Sequence, residues 1–545
     1  MESPFADGKR PATTESLAEE EGNRMRRRSF GIAAGACAVL AACSYPFLPL
    51  ATATKEPVVI GTANSLTHLD PAGGYDAGSW ALYSNIYQSL LTFDPGASVP
   101  RPDAAESCGF TGSLTTYRCR VRADLTFSNG HPVTATAVKH SFDRILSVRD
   151  PLGPSPLFAN LRSVEASGPF VTFHLAAADA TWPFKIATPA GSIVDPAEFP
   201  RDRLRTQRTF SGSGPYVLSS YEEGIRIGLT PNPSYRGAVS KKGKPVEIRY
   251  YKTAQEVEKA WNAQELDVAH AGLTSATLAS LENGKDPDAR LSIGESTVGR
   301  YLVLNTRPPH RPLGNLAARE AVAALVDRGR LAETVFKDTV SPLYSLVPRG
   351  VTGHSTDFYD VYPEADPRWA ARRLRDAGVS TPVRITLGHQ VGSAAAEARA
   401  LKGQLEKGGL FRVELVEESD WVRYQQRQKS GEFDAYVLQW SPDFPDPDTF
   451  VQPLVGSGNS LHNGYTSAEI DRSIKTTQGF TDRAKSVARF QAIQRLVAKE
   501  VPLVPLWQKK SYVVTRPTIS GSQYLVADNS GIWRLWELGR QPSVK

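Results

Sequence analysis

A chain of 545 residues is longer than one compact core supports, so the sequence predicts two or three domains. Hydrophobic residues make up 41% of it and charged residues 22%, a balance that excludes a disordered or fibrous protein. The formal net charge of +6 is spread thinly, and the absence of a basic stripe with interleaved aromatic residues argues against nucleic-acid binding.

The first readable element is an export signal. Three arginines at residues 26–28 precede an uncharged run over residues 29–54, an order that is typical of a secretory signal. Within the run, Leu-Ala-Ala-Cys at residues 40–43 resembles the lipobox of bacterial lipoproteins, in which a lipid is attached to the cysteine and cleavage leaves that cysteine first. We therefore expect an exported protein, anchored by Cys43 at the outer face of the cell membrane or located in the periplasm.

Other interpretations of this segment stay open. Residues 30–50 are nearly long enough for a membrane-spanning signal anchor, although Pro46 and Pro49 argue against a stable span. The arginine pair also resembles a twin-arginine signal, so the export route is not fixed. Because the polar residues 1–24 fit a leader poorly, we expect translation to start at Met25, the alternative being a longer charged region.

Two cysteines remain beyond the export signal. Cys108 and Cys119 flank a predicted turn at residues 111–113, and an even number of cysteines in an oxidising compartment is typical of a disulfide. Closing a loop of this size stabilises a fold by about 3 kcal/mol in the loop-entropy model. The nine histidines lie singly, none at ligand spacing, so we expect neither a metal site nor a cofactor.

Hydrophobic patterns after a linker at residues 44–56 predict strands and helices in turn. The predicted strands are residues 57–61, 113–127, 160–175 (a hairpin), 216–231 (a hairpin), 247–252, 266–269, 301–305, 383–389, 411–417 and 435–440. The predicted helices are residues 80–92, 132–145, 254–266, 315–326, 368–376, 393–408 and 482–500. This alternation predicts an α/β fold with helices packed on sheets.

Catalytic patterns are missing from the sequence. It contains no G-x-S-x-G elbow, no G-x-x-x-x-G-K phosphate loop and no H-E-x-x-H zinc motif. A secreted peptide hydrolase, the enzymatic alternative, needs a nucleophile with its base or a metal site. The sequence therefore predicts a binding protein and not an enzyme.

The strongest candidate site is the segment QWSPDFPDPD at residues 439–448. A strand ends at Trp440, and three carboxylates then follow among three prolines that limit the freedom of the backbone. A carboxylate held beside Trp440 can bind an ammonium group by a charge-assisted hydrogen bond and a cation–π contact. The alternative is a structural turn whose carboxylates cap a helix near residues 449–454.

Seven segments stand in an order that resembles a known family. They are residues 68–72, 85–94, 116–145, 211–224 with 232–237, 301–309, 317–331 and 439–450. Together they are similar to the extracellular solute-binding proteins of the oligopeptide- and dipeptide-binding family, bacterial family 5, over nearly the whole chain from Val58 to Leu538.

The resemblance implies an α/β two-lobe periplasmic-binding-protein clamshell, type II-like with an extra subdomain, that closes on its ligand as a hinged trap. The implied first lobe comprises residues 57–85, 205–298 and 506–545, the inserted subdomain residues 86–204, and the second lobe residues 299–505. The ligand is expected to lie extended between the lobes and to pair with strand edges.

Site residues follow from the resemblance by motif position. Asp443 corresponds to the acidic anchor for a peptide α-amino group. The segments expected to meet the ligand around this anchor are Trp440 with Ser441 and the first-lobe loop Ser65, Leu66, Thr67 and His68. Arg307 and Arg349 are candidates for the ligand carboxylate, although neither matches the family pattern. Asp446 and Asp448 recur in members of many specificities, so they are expected to serve the fold.

The expected function is the solute-binding component of an ABC importer. As a monomer, it captures a di- or oligopeptide and delivers it to the permease subunits. Two alternatives keep the same fold: one binds a sugar, an opine or a metal chelate instead of a peptide, and the other senses peptides without transport.

Overall fold

In this computed structural model the described residues are 56–239, 243–284, 286–307, 311–526 and 531–541. The export signal, the lipidation cysteine Cys43 and the start at Met25 lie outside them. The described residues belong to one compact unit, Thr54–Lys545. Among them, no helix has both the length and the apolar character that crossing a bilayer requires.

The strands of the described part of the chain are numbered in chain order. They are β1 (Val58–Thr62), β2 (Leu91–Thr92), β3 (Arg101–Pro102), β4 (Ala105–Thr111), β5 (Ser113–Val121), β6 (Leu161–Ser167), β7 (Phe170–Leu175), β8 (Tyr216–Glu222), β9 (Arg226–Pro231), β10 (Val246–Tyr250), β11 (Val268–His270), β12 (Arg290–Leu304), β13 (Val340–Pro342), β14 (Val383–His389), β15 (Phe411–Glu417), β16 (Ala435–Trp440), β17 (Leu503–Thr515), β18 (Ile519–Ser520) and β19 (Gly539–Arg540).

The α-helices are numbered in the same way. They are α1 (Ala77–Ile86), α2 (Ala135–Val148), α3 (Trp182–Ala187), α4 (Ala254–Asn262), α5 (Ser275–Glu282), α6 (Leu316–Leu325), α7 (Arg328–Thr334), α8 (Asp357–Val361), α9 (Pro367–Asp376), α10 (Ser393–Glu406), α11 (Trp421–Ser430), α12 (Asp448–Val455), α13 (Ala468–Thr477) and α14 (Val487–Glu500). Short 3₁₀ turns include Arg483–Ser486 and Ser522–Leu525.

Eleven of the described strands form one mixed sheet. Its order is β15-β14-β16-β12-β17-β11-β1-β10-β9-β8, with β13 paired to β17. At its centre β12 and β17 are antiparallel from Arg290 opposite Thr515 to Val303 opposite Leu503, and a register shift interrupts the ladder between Glu295 and Gly299. The long pair β12–β17 therefore joins the two halves of the sheet and is irregular at its middle.

The hydrophobic interior divides around this pair. One cluster, called here the first core, includes Ile60, Phe142 and Trp182; a second core includes Tyr301 and Phe450. A smaller cluster, with Trp261 and Val514 among its members, lies against α4. The lobe and subdomain boundaries stated from the sequence stay a prediction, since the first core holds residues of both the implied first lobe and the implied insertion.

The implied insertion contains a four-stranded antiparallel sheet, in the order β4-β5-β7-β6. Buried side chains alternate along the second half of β5, so that one face covers the first core. Helix α2 lies over this sheet, begins at Thr134, whose hydroxyl accepts the Ala137 N–H (3.2 Å), and buries Phe142. Cys108 of β4 is directly opposite Cys119 of β5, with the sulfur atoms at bonding distance.

Some observed helices and strands have the predicted bounds, and others end earlier than predicted. The strands predicted at residues 383–389, 411–417 and 435–440 are confirmed to the residue. The helix predicted over 254–266 ends at Asn262, because Gln264 has a left-handed φ of 61°.

Two further predictions are partly wrong. The strand predicted over 113–127 ends at Val121, because its partner β4 begins opposite that residue. The helix predicted over 482–500 is a 3₁₀ turn up to Ser486 and an α-helix only from Val487.

Candidate functional site

A cavity of about 330 Å³ lies where the β12–β17 pair passes between the two cores. One wall comes from the end of β11 with His270 and from Trp533, whose rings are 4.3 Å apart. The opposite wall includes Gln439 and Ser441 at the end of β16. The floor is the irregular middle of the β12–β17 pair, which contributes Ser296, Val298 and residues 509–512. Residues of the first core and of the smaller cluster therefore line one space of ligand size, together with Gln439 of β16, a strand that packs in the second core.

The charged groups of this cavity are all basic. Lys509 and Lys510 line it, and the described lining residues include no aspartate or glutamate. His270 adds no charge at neutral pH, because burial lowers the pKa of its imidazole to about 4.

Asp443, the predicted anchor, lies on the loop between β16 and α12. The Tyr75 hydroxyl and the Thr449 side chain hydrogen-bond its carboxylate, and its backbone N–H donates to Thr449 Oγ1 (3.0 Å). Burial raises the pKa of this carboxyl to about 6, an increase that the hydrogen bond from Tyr75 opposes. Within the described residues no basic side chain forms an ion pair with it. Asp443 is thus a desolvated carboxylate whose partners are hydroxyl groups.

The two neighbours of Asp443 in the predicted site have different surroundings. Trp440 packs on the second core, and its indole N–H donates to the Thr449 carbonyl (2.8 Å), so this group serves the loop. Ser441 is exposed and lines the cavity. Of the predicted ligand-binding residues, only Ser441 is among the described residues of the cavity wall.

The predicted first-lobe loop, residues 65–68, is braced against α1. The Thr67 N–H donates to Ser79 Oγ (3.2 Å), and the Tyr83 hydroxyl donates to the His68 carbonyl (2.6 Å). A Cβ atom at Gly78 would lie 2.1 Å from the Ser65 carbonyl oxygen, so only glycine permits this approach. Leu66 packs on the first core. Asn64 and Ala77, on either side of the loop, reach the cavity wall.

The other two carboxylates of the QWSPDFPDPD segment are not among the described residues that line the cavity. Asp446 pairs with Arg483 through two hydrogen bonds of 2.6 and 2.8 Å, and its Oδ1 also accepts the Asp448 N–H (2.9 Å) at the start of α12. Asp446 therefore fits the alternative of a carboxylate that caps the start of a helix, here α12. The Asp448 carboxyl is buried, and its pKa rises to about 7, first through burial and then through the charge of Asp446.

The arginines suggested for a ligand carboxylate lie away from the cavity wall. The Arg307 guanidinium donates to the backbone carbonyls of Lys429 (2.8 Å) and His462 (2.6 Å). Arg349 is exposed and lies 3.8 Å from Glu295. The basic residues of the cavity, Lys509 and Lys510, were missed. Their signal in the sequence is a lysine pair between two apolar stretches of the segment LVPLWQKKSYVVT.

Comparison with known proteins gives a consistent result. Residues 99–462 match the family model described as bacterial extracellular solute-binding proteins, family 5. The "Probable D,D-dipeptide-binding periplasmic protein DdpA" of Escherichia coli is 24% identical over 91% of this chain and 96% of its own length. The di/tripeptide-binding protein 2 of Pseudomonas aeruginosa is 24% identical over 80% of this chain and 86% of its own length.

Solved structures share the architecture. NikA from Brucella suis in complex with Fe(III)-EDTA superposes with a TM-score of 0.77 at 21% identity, covering 89% of this chain and 100% of NikA. DppA from Helicobacter pylori in complex with the peptide STSA gives 0.76 at 20% identity, covering 89% of this chain and 98% of DppA. The fold is therefore the two-lobe clamshell of periplasmic binding proteins, which confirms the fold class implied by the sequence.

Proposed function

Because this chain belongs to the bacterial extracellular solute-binding proteins of family 5, a family of transport proteins, we propose that it captures a small peptide between its lobes and delivers it to the permease of an ABC importer. The observation that carries this proposal is the cavity of about 330 Å³ between the first core, which contributes Trp533 and Leu525, and the end of β16, which contributes Gln439. A cavity built in this way closes around a solute when the lobes approach and opens when they separate.

A peptide is favoured by the relatives. The protein from Escherichia coli is named for D,D-dipeptides, the protein from Pseudomonas aeruginosa for di- and tripeptides, and the Helicobacter pylori structure holds a tetrapeptide. Family members of similar fold hold Fe(III)-EDTA or agropinic acid, so a metal chelate or an opine is the second candidate. The cavity volume lies at the lower end of the roughly 300–1,000 Å³ typical of small-molecule sites, which favours a short peptide.

We propose that Asp443 binds the α-amino group of this peptide, with Trp440, Ser441 and the loop at residues 65–68 around it. The support is the desolvated state of its carboxylate, which has hydroxyl partners and no ion pair in the described part of the chain; Lys185 favours its charge from a distance and pairs with Asp179 (2.7 Å). An ammonium group that replaces or joins the Tyr75 hydroxyl would restore the missing charge partner. Tyr75 then acts as a stand-in for the ligand in the unliganded protein.

Asp443→Asn tests this proposal. We expect the affinity for a dipeptide with a free amine to fall by about 2–5 kcal/mol, measured by isothermal titration calorimetry, since a buried ammonium loses its charged partner. The N-acetylated dipeptide should bind weakly to the natural protein and lose little more on substitution.

Two controls separate an anchor from a structural turn. Tyr75→Phe removes the competing hydroxyl and keeps the ring, so it should preserve or raise the affinity for the free amine. If Asp443→Asn instead lowers the melting temperature sharply without ligand, or weakens both peptides equally, Asp443 supports the loop and does not hold the amine.

We also propose that the mature protein is a lipoprotein that starts at Cys43 and carries a disulfide between Cys108 and Cys119. The lipobox-like residues 40–43 support the anchor. The disulfide is supported by the two cysteines, which are directly opposite each other in the antiparallel pair β4–β5.

Intact-mass analysis of the membrane fraction, with and without reductant, tests both features. We expect a lipidated chain beginning at Cys43 whose mass rises by two hydrogens on reduction. An unprocessed chain that retains residues 26–42 would refute the anchor, and an unchanged mass on reduction would refute the disulfide.

A further inference from the structure

The cavity between the lobes has an unbalanced charge. Its described lining contains Lys509 and Lys510 and no carboxylate. Two glutamates contact residues of the wall or precede them in the chain: Glu282 accepts a hydrogen bond from the Tyr512 hydroxyl (3.4 Å), and Glu295 comes directly before Ser296. Glu295 is 3.8 Å from Arg349 and also accepts a hydrogen bond from the Gln508 amide (3.4 Å). The electrostatic field inside the cavity is therefore set by basic groups.

The two lysines differ in their partners. Lys510 Nζ is 4.0 Å from Glu282 Oε1, which offsets part of its charge. Lys509 forms no ion pair or hydrogen bond through its side chain with any other residue in the described ranges. It is the basic group of the cavity whose charge the protein leaves unbalanced.

Lys509 is open to the ligand. Its side chain is exposed and lines the cavity, so a solute can reach the ammonium group, and partial desolvation by the surrounding protein lowers the pKa of this group. A bound anion supplies the missing counter-ion, and the pair is buried when the lobes close over the solute.

The remaining walls limit the shape of such a ligand. Trp533, Tyr512, Leu273 and Leu525 give the cavity an apolar and aromatic lining, and Ser441 and Gln439 add hydrogen-bonding groups. A solute that fits has one anionic end, an apolar body and a few polar groups.

From this we infer that Lys509 binds a carboxylate of the captured solute, so that the ligand class is small carboxylate-bearing solutes, among them short peptides with a free carboxyl terminus. The inference rests on the proposed capture of a solute in this cavity. It assigns to a residue of β17 the role that Arg307 and Arg349 do not fill.

Native mass spectrometry of the protein purified from its own cells gives the first test. We expect a trapped solute that contains a carboxylate. Lys509→Met, which keeps the length of the side chain and removes its charge, should retain about 30-fold less of it, the loss expected when one partner of a buried charge pair is removed. Lys509→Arg restores the charge and should restore binding.

Lys139→Met is the matched control, since it removes one lysine charge at an exposed i,i+4 pair with Asp143, outside the cavity wall. This variant should trap the same solute as the natural protein. Melting temperatures of all three variants establish that they fold.

Calorimetry with L-alanyl-L-phenylalanine and its carboxyl-terminal amide gives the second test. The acid should bind about 30-fold more tightly than the amide, and Lys509→Met should remove this preference. A trapped solute without an acidic group, equal binding of acid and amide, or full retention of the solute by Lys509→Met would overturn the inference and leave solute capture intact. The proposed function itself fails, and the inference with it, if no solute is trapped and neither probe binds.

Discussion

At the scale of single residues, the three carboxylates of the candidate segment have different surroundings. Asp443, Asp446 and Asp448 look alike in the segment QWSPDFPDPD. Their roles depend on partners far away in the sequence: Tyr75 for Asp443 and Arg483 for Asp446. No pattern within ten residues predicts such contacts, so the sequence left the binding and capping interpretations open.

Asp448 yields a prediction because its carboxyl is buried beside the charge of Asp446. The pKa of this group is about 7 in the folded protein and near 3.9 when unfolded, so between these values the folded state binds the proton and the unfolded state does not. The free energy of unfolding therefore falls as the pH rises from about 4 to about 7, because the unfolded chain loses the Asp448 proton in this range and the folded protein keeps it.

Asp448→Asn removes this pH-dependent cost. The free energy of unfolding of the variant, relative to the natural protein, should rise by about 2 kcal/mol from pH 5 to pH 8. Urea titrations of both proteins at the two pH values measure the difference. A difference that stays constant with pH would mean that Asp448 is ionised in the folded state at both values.

At the scale of elements, predictions succeeded where burial is regular. Strands β14, β15 and β16 are short apolar or alternating runs between polar turns, and their bounds were predicted to the residue. Residues 290–300 of β12 and the whole of β17 were not predicted as strands, because exposed and buried residues mix there without a clear period. These unpredicted segments contain Ser296 and Lys509, which explains why the cavity floor was not predicted.

Helix bounds failed for a related reason. The apolar period through residues 482–500 continues smoothly, so nothing in the pattern indicates the break at Ser486. In the structure Arg483 donates to Asp446 and to the carbonyl of Phe480 (3.2 Å), and these contacts hold the turn outside the regular helix. Tertiary hydrogen bonds determined an end that local periodicity does not encode.

At the scale of the whole molecule, the two cores are linked by the β12–β17 pair, and the loop after β16 also contacts the first core. Phe444, on the loop between β16 and α12, belongs to the first core and lies 6.0 Å from Phe184 between ring centroids. Nearby, the Ala180 N–H donates to the Gln478 carbonyl (2.9 Å). The loop that contains Asp443 is therefore fixed at Asp446 to Arg483 and at Phe444 to the first core. We expect the contact of Phe444 with the first core to form when the clamshell closes.

Phe444→Ala tests whether this contact stabilises the closed state. The ring is 2% exposed, and removing it from its apolar contacts with Phe184 should cost the closed arrangement about 2–4 kcal/mol. Since only the closed form holds the ligand fully, the apparent affinity should fall by at least tenfold, mainly through faster dissociation. Small-angle scattering should show a larger radius of gyration for the liganded variant than for the liganded natural protein.

Phe444→Leu, which keeps an apolar side chain, is the control and should lose much less affinity. If Phe444→Ala lowers the melting temperature of the unliganded protein but leaves the dissociation rate unchanged, Phe444 is an ordinary residue of the first core, and closure depends on the β12–β17 pair alone.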